Sequence, residues 1–303
     1  MKFKMKKFLV LLLTFGCLLY AASPALAAND DDDVIDEKLG LPIVVYGETL
    51  TESQKEEVRK ILKVKNPDNV EEIIVTADDL ARLIDGNPNS RMYSSAKITL
   101  QDKGKGLVIK RVTPENITEV TEEMYANAML TAGVENAVVE VASPVAVTGH
   151  SALVGIYKAY ESRGQELDKG RMEVANEELD IATELADKEG LNDEKVGELL
   201  TEIKKQIADQ NPVTREEVEQ IVEEQLSKME IQLSDKDRQL LIDLFEKMRS
   251  LDIDFDNVKQ QLEDISKDIK NKLQDVVGDE GFWDSVSNFF KNLFESIASF
   301  FKG

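Results

Sequence analysis

The periodicity of this sequence changes once, near residue 163, and that change limits the architectures open to the chain. Before it, short runs rich in β-branched residues alternate with helical stretches. Beyond Gly164 the strand pattern disappears and apolar residues recur at intervals of three and four. The first kind of pattern implies a layered α/β domain with some parallel pairing over residues 39–163. The second implies an all-α helical region over 164–278. The predicted class is thus a mixed α+β and α/β N-terminal domain, then an all-α region ending in an amphipathic helix.

In the first region Ile43-Val44-Val45-Tyr46 reads as a strand, and Thr51-Glu52-Ser53-Gln54 as a capping box opening a helix to about Leu62. A strand from Glu72 to Thr76 and a helix from Asp78 to Ile84, capped by Thr76, follow. Ser95 to Leu100 and Leu107 to Val112 read as two strands of a hairpin turned through Asp102-Lys103-Gly104-Lys105-Gly106. A helix from about Asn116 to Ala132 should end at Gly133. A strand from Ala137 to Val141 and a helix from about Ser151 to Ser162 complete the region. The run Val70 to Val75 parallels Val134 to Val139, each following one helix and preceding another, which suggests a duplication. Beyond it, helices are expected at about 166–188, 192–209, 214–231, 235–250 and 255–276. Val258, Leu262, Ile265, Ile269 and Leu273 make one apolar stripe, and Leu240, Leu241, Leu244, Phe245 and Met248 another.

The first 27 residues have the form of a secretory signal peptide. Lys2, Lys4, Lys6 and Lys7 lead an apolar run from Phe8 to Tyr20, and Ala25-Leu26-Ala27 offers the small-x-small cleavage pattern. An uncleaved anchor is the alternative, although the run falls short of the ~20 residues that span a bilayer. Cys17 has Thr14 three places earlier, where a lipobox needs a branched apolar residue, so it reads as part of the run. The chain beyond the leader then has no thiol, no disulfide and no Cys-based metal site. Of the 37 Lys and Arg residues the leader takes four, leaving 33 against 59 Asp and Glu, a charge of −26. Such a polyanion is repelled by nucleic acid. Residues 28–38, with Asp30 to Asp33, read as an acidic flexible N-terminus. The expected setting is extracellular, in the wall or at the membrane surface.

The last run, 282–301, is FWDSVSNFFKNLFESIASFF. On a helix, Phe282, Trp283, Val286, Phe289, Phe290, Leu293, Phe294, Ile297, Phe300 and Phe301 supply its apolar side. Gly278-Asp279-Glu280-Gly281 precedes it as a flexible joint, and residues 279–303 read as a hinge and amphipathic aromatic helix. Polar residues recur at every turn, so it is not a bilayer span. Such a face must be covered, by the chain's own bundle, a lipid interface, an envelope protein or a second copy of the chain. Lys291 and Lys302 only balance Asp284 and Glu295, so the basic polar face usual for lipid binding is missing.

Residues 116–153, NITEVTEEMYANAMLTAGVENAVVEVASPVAVTGHSAL, resemble the signature segment of the YpuA-like family of secreted Gram-positive proteins. The N-terminal strand-helix opening and the total length match it too, most specifically over 40–160. The resemblance implies continuity of fold and an extracytoplasmic setting. Its members form a domain of unknown function, so it carries no catalytic residues over. His150 stands where a variable small or acidic residue is expected.

No catalytic residue is assigned. A Ser-His-Asp mechanism would have to use His150, with Ser143 or Ser151 as nucleophile, and the local order fits no known spacing. Thr148, Gly149, His150 and Ser151 could instead present backbone amides to an anion at a helix N-terminus, with Ser151 as a plain helix cap in the competing reading. A histidine-based metal site lacks a second ligand. Residues 252–263 approach a calcium loop through Asp252, Asp254, Asp256 and Glu263, yet Asn257 stands where glycine is required. Asp254 as the cap of a helix explains the same residues. The sequence therefore favours a non-catalytic interaction module with no cofactor. A hydrolase or transferase using the Ser143–Ser151 loop, and a calcium-dependent structural module, are the alternatives.

Overall fold

The structure, a computed structural model, describes residues 39–187 and 191–277, with side chains described as far as residue 267. The expected signal peptide, the acidic stretch 28–38 expected to be a flexible N-terminus, and the aromatic segment 279–303 lie outside the described residues. Those described form one five-stranded mixed sheet and nine helices. The strands are β1 (Ile43–Gly47), β2 (Glu71–Val75), β3 (Ser95–Leu100), β4 (Leu107–Arg111) and β5 (Ala137–Ala142). The helices of the first region are α1 (Glu52–Ile61), α2 (Ala77–Ile84), α3 (Glu122–Ala132) and α4 (Ser151–Ser162). Those of the second are α5 (Lys169–Ala186), α6 (Asp193–Gln210), α7 (Arg215–Lys228), α8 (Asp235–Arg249) and α9 (Phe255–Val277).

Local chemistry accounts for the helix starts. The side chains of Thr51, Thr76, Thr121, Asp168, Asn192, Thr214 and Ser234 each accept a backbone N–H from the first turn of their helix. Thr51 with Gln54, and Thr214 with Glu217, close reciprocal capping boxes. Gly133 ends α3 in the left-handed region at φ 95°, where a Cβ would be strained.

The strand order is β2-β1-β3-β5-β4. This corrects the expected hairpin, because β5 lies between β3 and β4, antiparallel to β3 and parallel to β4. The 101–106 connection wraps round the start of β5. Asn136 holds it there, its Oδ1 accepting from the amides of Gly104 (2.7 Å) and Gly106 (3.2 Å). β5 is buried at Ala137, Val139, Val141 and Ala142, and a central position hides both its edges and its apolar side. The suggested duplication corresponds to two β-α-β-α units, β1-α1-β2-α2 and β4-α3-β5-α4, each with its two strands paired in parallel. β3 stands between them.

The helix expected from Asn116 starts only at Glu122. Thr121 caps it, while Ile117 is drawn into a parallel bridge with Val147. From Met124 to Ala132 every residue of α3 is buried, because α5, α6 and α9 pack on it and β4 lies against it. One apolar cluster runs from Ile43 and Ile109 in the sheet through α3 and α4 to Phe245 and Leu262 in the helices. A smaller cluster of Val44, Tyr46, Leu50, Val58, Leu62 and Ala142 sits beneath α1 on the other face.

Candidate functional site

The Ser143–Ser151 loop is packed against residues 113–120. Ser143 is buried, its amide donating to Thr113 Oγ1 (2.9 Å) and its hydroxyl to the Val145 carbonyl (2.7 Å). Asn116 donates its side-chain amide to the Ser143 carbonyl at 2.9 Å. The Thr118 amide donates to the Val147 carbonyl at 2.9 Å. Gly149 is at φ +113°, and Tyr125 donates its hydroxyl to the Gly149 carbonyl at 2.7 Å. A Cβ on Gly149 would stand 2.7 Å from that same hydroxyl oxygen, so only glycine fits.

Thr148 is exposed, Gly149 buried, and His150 and Ser151 half-buried. His150 is the residue before α4 and makes no side-chain cap; Ser151 is inside the first turn, not the cap envisaged for it. The imidazole sits between two threonines, with Nδ1 3.1 Å from Thr148 Oγ1 and Nε2 3.2 Å from Thr183 Oγ1. Thr183 donates its own hydroxyl to α5 carbonyls, so its oxygen accepts from Nε2, which carries a proton. Burial lowers the His150 pKa, partly opposed by Glu119. Asp180 Oδ1 is 3.4 Å from Nε2. Ser143 spends its hydroxyl on a neighbouring carbonyl, so no Ser-His pair is assembled there.

The calcium-loop residues are not gathered round one point. Asp254 Oδ1 accepts the Asn257 amide at 3.0 Å and opens α9, so everything from Phe255 on is helix. Nine residues of helix place Glu263 about 13 Å further along the axis than Asp254. Among the described residues no group of three or more His, Cys, Asp or Glu could hold a metal ion, and no helix among them is long and apolar enough to cross a membrane.

Two features escaped the sequence. One is a polar groove of about 430 Å³ between the 103–108 segment and α9, where Gln261 Oε1 accepts the Leu107 amide at 3.0 Å. It is lined by Lys103, Lys105, Asn136, Asn257 and Gln260 among others. The other is a sealed ionic cluster. Lys204 of α6 and Glu178 of α5, both 1 % exposed, meet at 2.6 Å. The remaining Lys204 donors reach the Asn127 carbonyl (2.9 Å) and Thr131 Oγ1 (2.8 Å) on α3. Thr131 lies 2.7 Å from Glu178 Oε2, and Asn127 donates to Thr201 Oγ1 at 2.9 Å. Burial pushes the Lys204 pKa down, and Glu178 works against that shift. Buried beside this carboxylate, Tyr157 has its pKa pushed up by desolvation and by the Glu178 charge. A signal was present: Lys204 falls four residues after Leu200 and three before Ile207, on an otherwise apolar stripe.

A mixed sheet of two β-α-β-α units, overlaid by an α3-centred helical bundle, defines the class of protein. The chain belongs to the family described as "Protein of unknown function (DUF1002)", which matches residues 46–265. It is 36 % identical over 214 residues to the uncharacterized protein YpuA of Bacillus subtilis strain 168, covering 68 % of this chain and 71 % of that one. The resemblance in the 116–153 segment therefore extends over most of the fold. No solved structure matches.

Proposed function

We propose that the protein is an exported, non-catalytic interaction module of the cell envelope, docking through the apolar residues of 282–301. One observation carries the reading: among the described residues, Ile74 and Val213 are the exposed large hydrophobic side chains. Leu241, Leu244, Phe245 and Met248 of α8 and Val258 and Leu262 of α9 are already buried in the common apolar cluster. The folded body thus offers little open apolar surface to receive ten further apolar side chains, and a partner surface is the better cover. The packed Ser143–Ser151 loop supports a non-catalytic role over a hydrolase or transferase. The helical start at Phe255 supports α9 over a calcium-dependent module.

The test is flotation of the full chain, with and without residues 279–303, on phosphatidylglycerol-phosphatidylcholine vesicles, alongside crosslinking to envelope proteins in the native host. Flotation or a crosslinked partner that depends on 279–303 is the expected result. Equal behaviour of the two chains overturns the docking role. N-terminal sequencing of protein from the host should begin at Ala28, and a start at Met1 overturns export.

A further inference from the structure

The two edges of the sheet are finished differently. On β4 the outward amides of Leu107 and Arg111 are taken by Gln261 Oε1 (3.0 Å) and Glu122 Oε1 (2.9 Å). Ile109, the outward residue between them, is buried, so side-chain bonds and packing together close that edge to another strand. On β2 the bond from the Glu71 amide to the Pro42 carbonyl (2.9 Å), and that from the Glu48 amide to the Val75 carbonyl (3.0 Å), set the phase of the parallel ladder. Residues 71, 73 and 75 face β1, so the N–H and C=O groups of Glu72 and Ile74 point outward. Nothing among the described residues meets them. Ile74 is 44 % exposed on this strand.

Edge strands are usually guarded by an unpaired charge or a proline. β2 has no proline, and both of its charges are neutralised. Arg59 donates to Glu72 through Nε and Nη2, each at 2.7 Å, and Tyr46 adds a hydroxyl at 2.7 Å. Glu71 lies 3.1 Å from Arg163 Nη2. The strand is acidic in sequence and close to neutral in place.

We infer that β2 is a docking edge for a second copy of this chain, pairing antiparallel about a two-fold axis at Ile73. In this register Glu72 faces Ile74 of the other copy and exchanges both backbone bonds with it, and the axis repeats the pair. The two Ile73 residues face each other in the closer, non-bonded position. Neighbouring registers fail on groups already committed. Centring on Glu72 sets the two Glu72 carboxylates opposite each other and pairs Ile74 with Val70, whose amide is bonded to Pro67 at 3.3 Å. Centring on Ile74 pairs Glu72 with Thr76, whose amide is held by Asp79 at 2.9 Å. Only the Ile73 register uses free groups throughout, and it joins two five-stranded sheets into one.

This inference is independent of the docking role proposed for residues 282–301, and the test separates the two. Sedimentation equilibrium of the full chain over a concentration series should show a monomer-dimer equilibrium. Salt should tighten it, because two copies of net charge −22 repel at low ionic strength. Ile74→Pro removes an amide hydrogen that the monomer does not use, so thermal melting should show the fold intact. The dissociation constant should rise at least ~10-fold, because two symmetry-related bonds are lost. Val213→Lys, at the other exposed large hydrophobic, should leave the dimer unchanged, as should the triple variant Phe289→Ser, Phe290→Ser, Phe294→Ser. A monomer at every concentration and salt overturns the inference, as does a dimer indifferent to Ile74→Pro. A dimer lost only in the triple Phe variant also overturns it and assigns association to the aromatic segment.

Discussion

The helices that follow the first strands of the two β-α-β-α units meet opposite fates. α1 lies on one face of the sheet, with Val58 its one fully buried residue and a charged outer side. α3 has the same place in its unit, yet it is enclosed on all sides from Met124 to Ala132. The strands do not cause the difference; α5, α6 and α9, which pack on α3, do. Enclosure changes what polar side chains cost. Arg59 on α1 and Glu72 remain wetted, and such pairs contribute little. The Asn127 side-chain NH2 and the Thr131 hydroxyl on α3 have no access to water and find Thr201, Lys204 and Glu178 inside, while Asn127 Oδ1 is left unpaired.

The largest effect should come from unpairing that enclosed cluster. Glu178→Ala leaves the Lys204 ammonium uncompensated and should cost about 3–5 kcal/mol in urea unfolding. Glu178→Leu with Lys204→Met should recover most of it, and a double variant as weak as the single one would break the account. Next, Leu130→Ala on α3, in the large cluster, should cost about 4 kcal/mol and Leu62→Ala, in the small cluster beneath α1, about 2, because fewer surrounding groups hold that cavity open. Equal losses would erase the distinction between the helices.

Asp79 on α2 is tied to Lys158 on α4 and so links the two units. Burial raises its pKa, but hydrogen bonds from Lys158, the Thr76 amide and Arg82 outweigh this and hold it at about 2. With a folded value below the unfolded ~3.9, its contribution is complete above pH ~4 and disappears as pH falls through 2. Asp79→Asn should therefore lower stability by about 2 kcal/mol at neutral pH and flatten the acid limb between pH ~4 and 2. An unchanged acid limb removes the link. Thr51→Ala, at the exposed cap of α1, should give the smallest change, about 1 kcal/mol by thermal melting.

Much of this architecture was legible because helix ends depend on near neighbours. Thr51, Thr76 and Ser234 mark their starts within a few residues, and the five helices after Gly164 follow their apolar spacing. The hairpin misled because Asp102 to Gly106 shows only that the chain turns, not that β5 will enter the gap. The helix expected from Asn116 misled for a related reason, since Val147, which holds Ile117 in an isolated bridge, lies thirty residues away. Of the site residues, His150 was visible as a lone histidine, but Thr183 beside it comes from α5 and could not be foreseen locally. Lys204 and Glu178 read as members of charged helices until α3 is placed between them.

The insertion of β5 also governs the order in which the chain can be assembled. As a polypeptide lengthens from its amino end, β3 emerges with one flank satisfied by β1 and the other bare, and β4 then arrives with no neighbour to hold. Both wait until residues 137–142 have appeared, after all of α3 has been made. For that interval the nascent sheet stays open at its middle, with the facing edges of β3 and β4 unpaired.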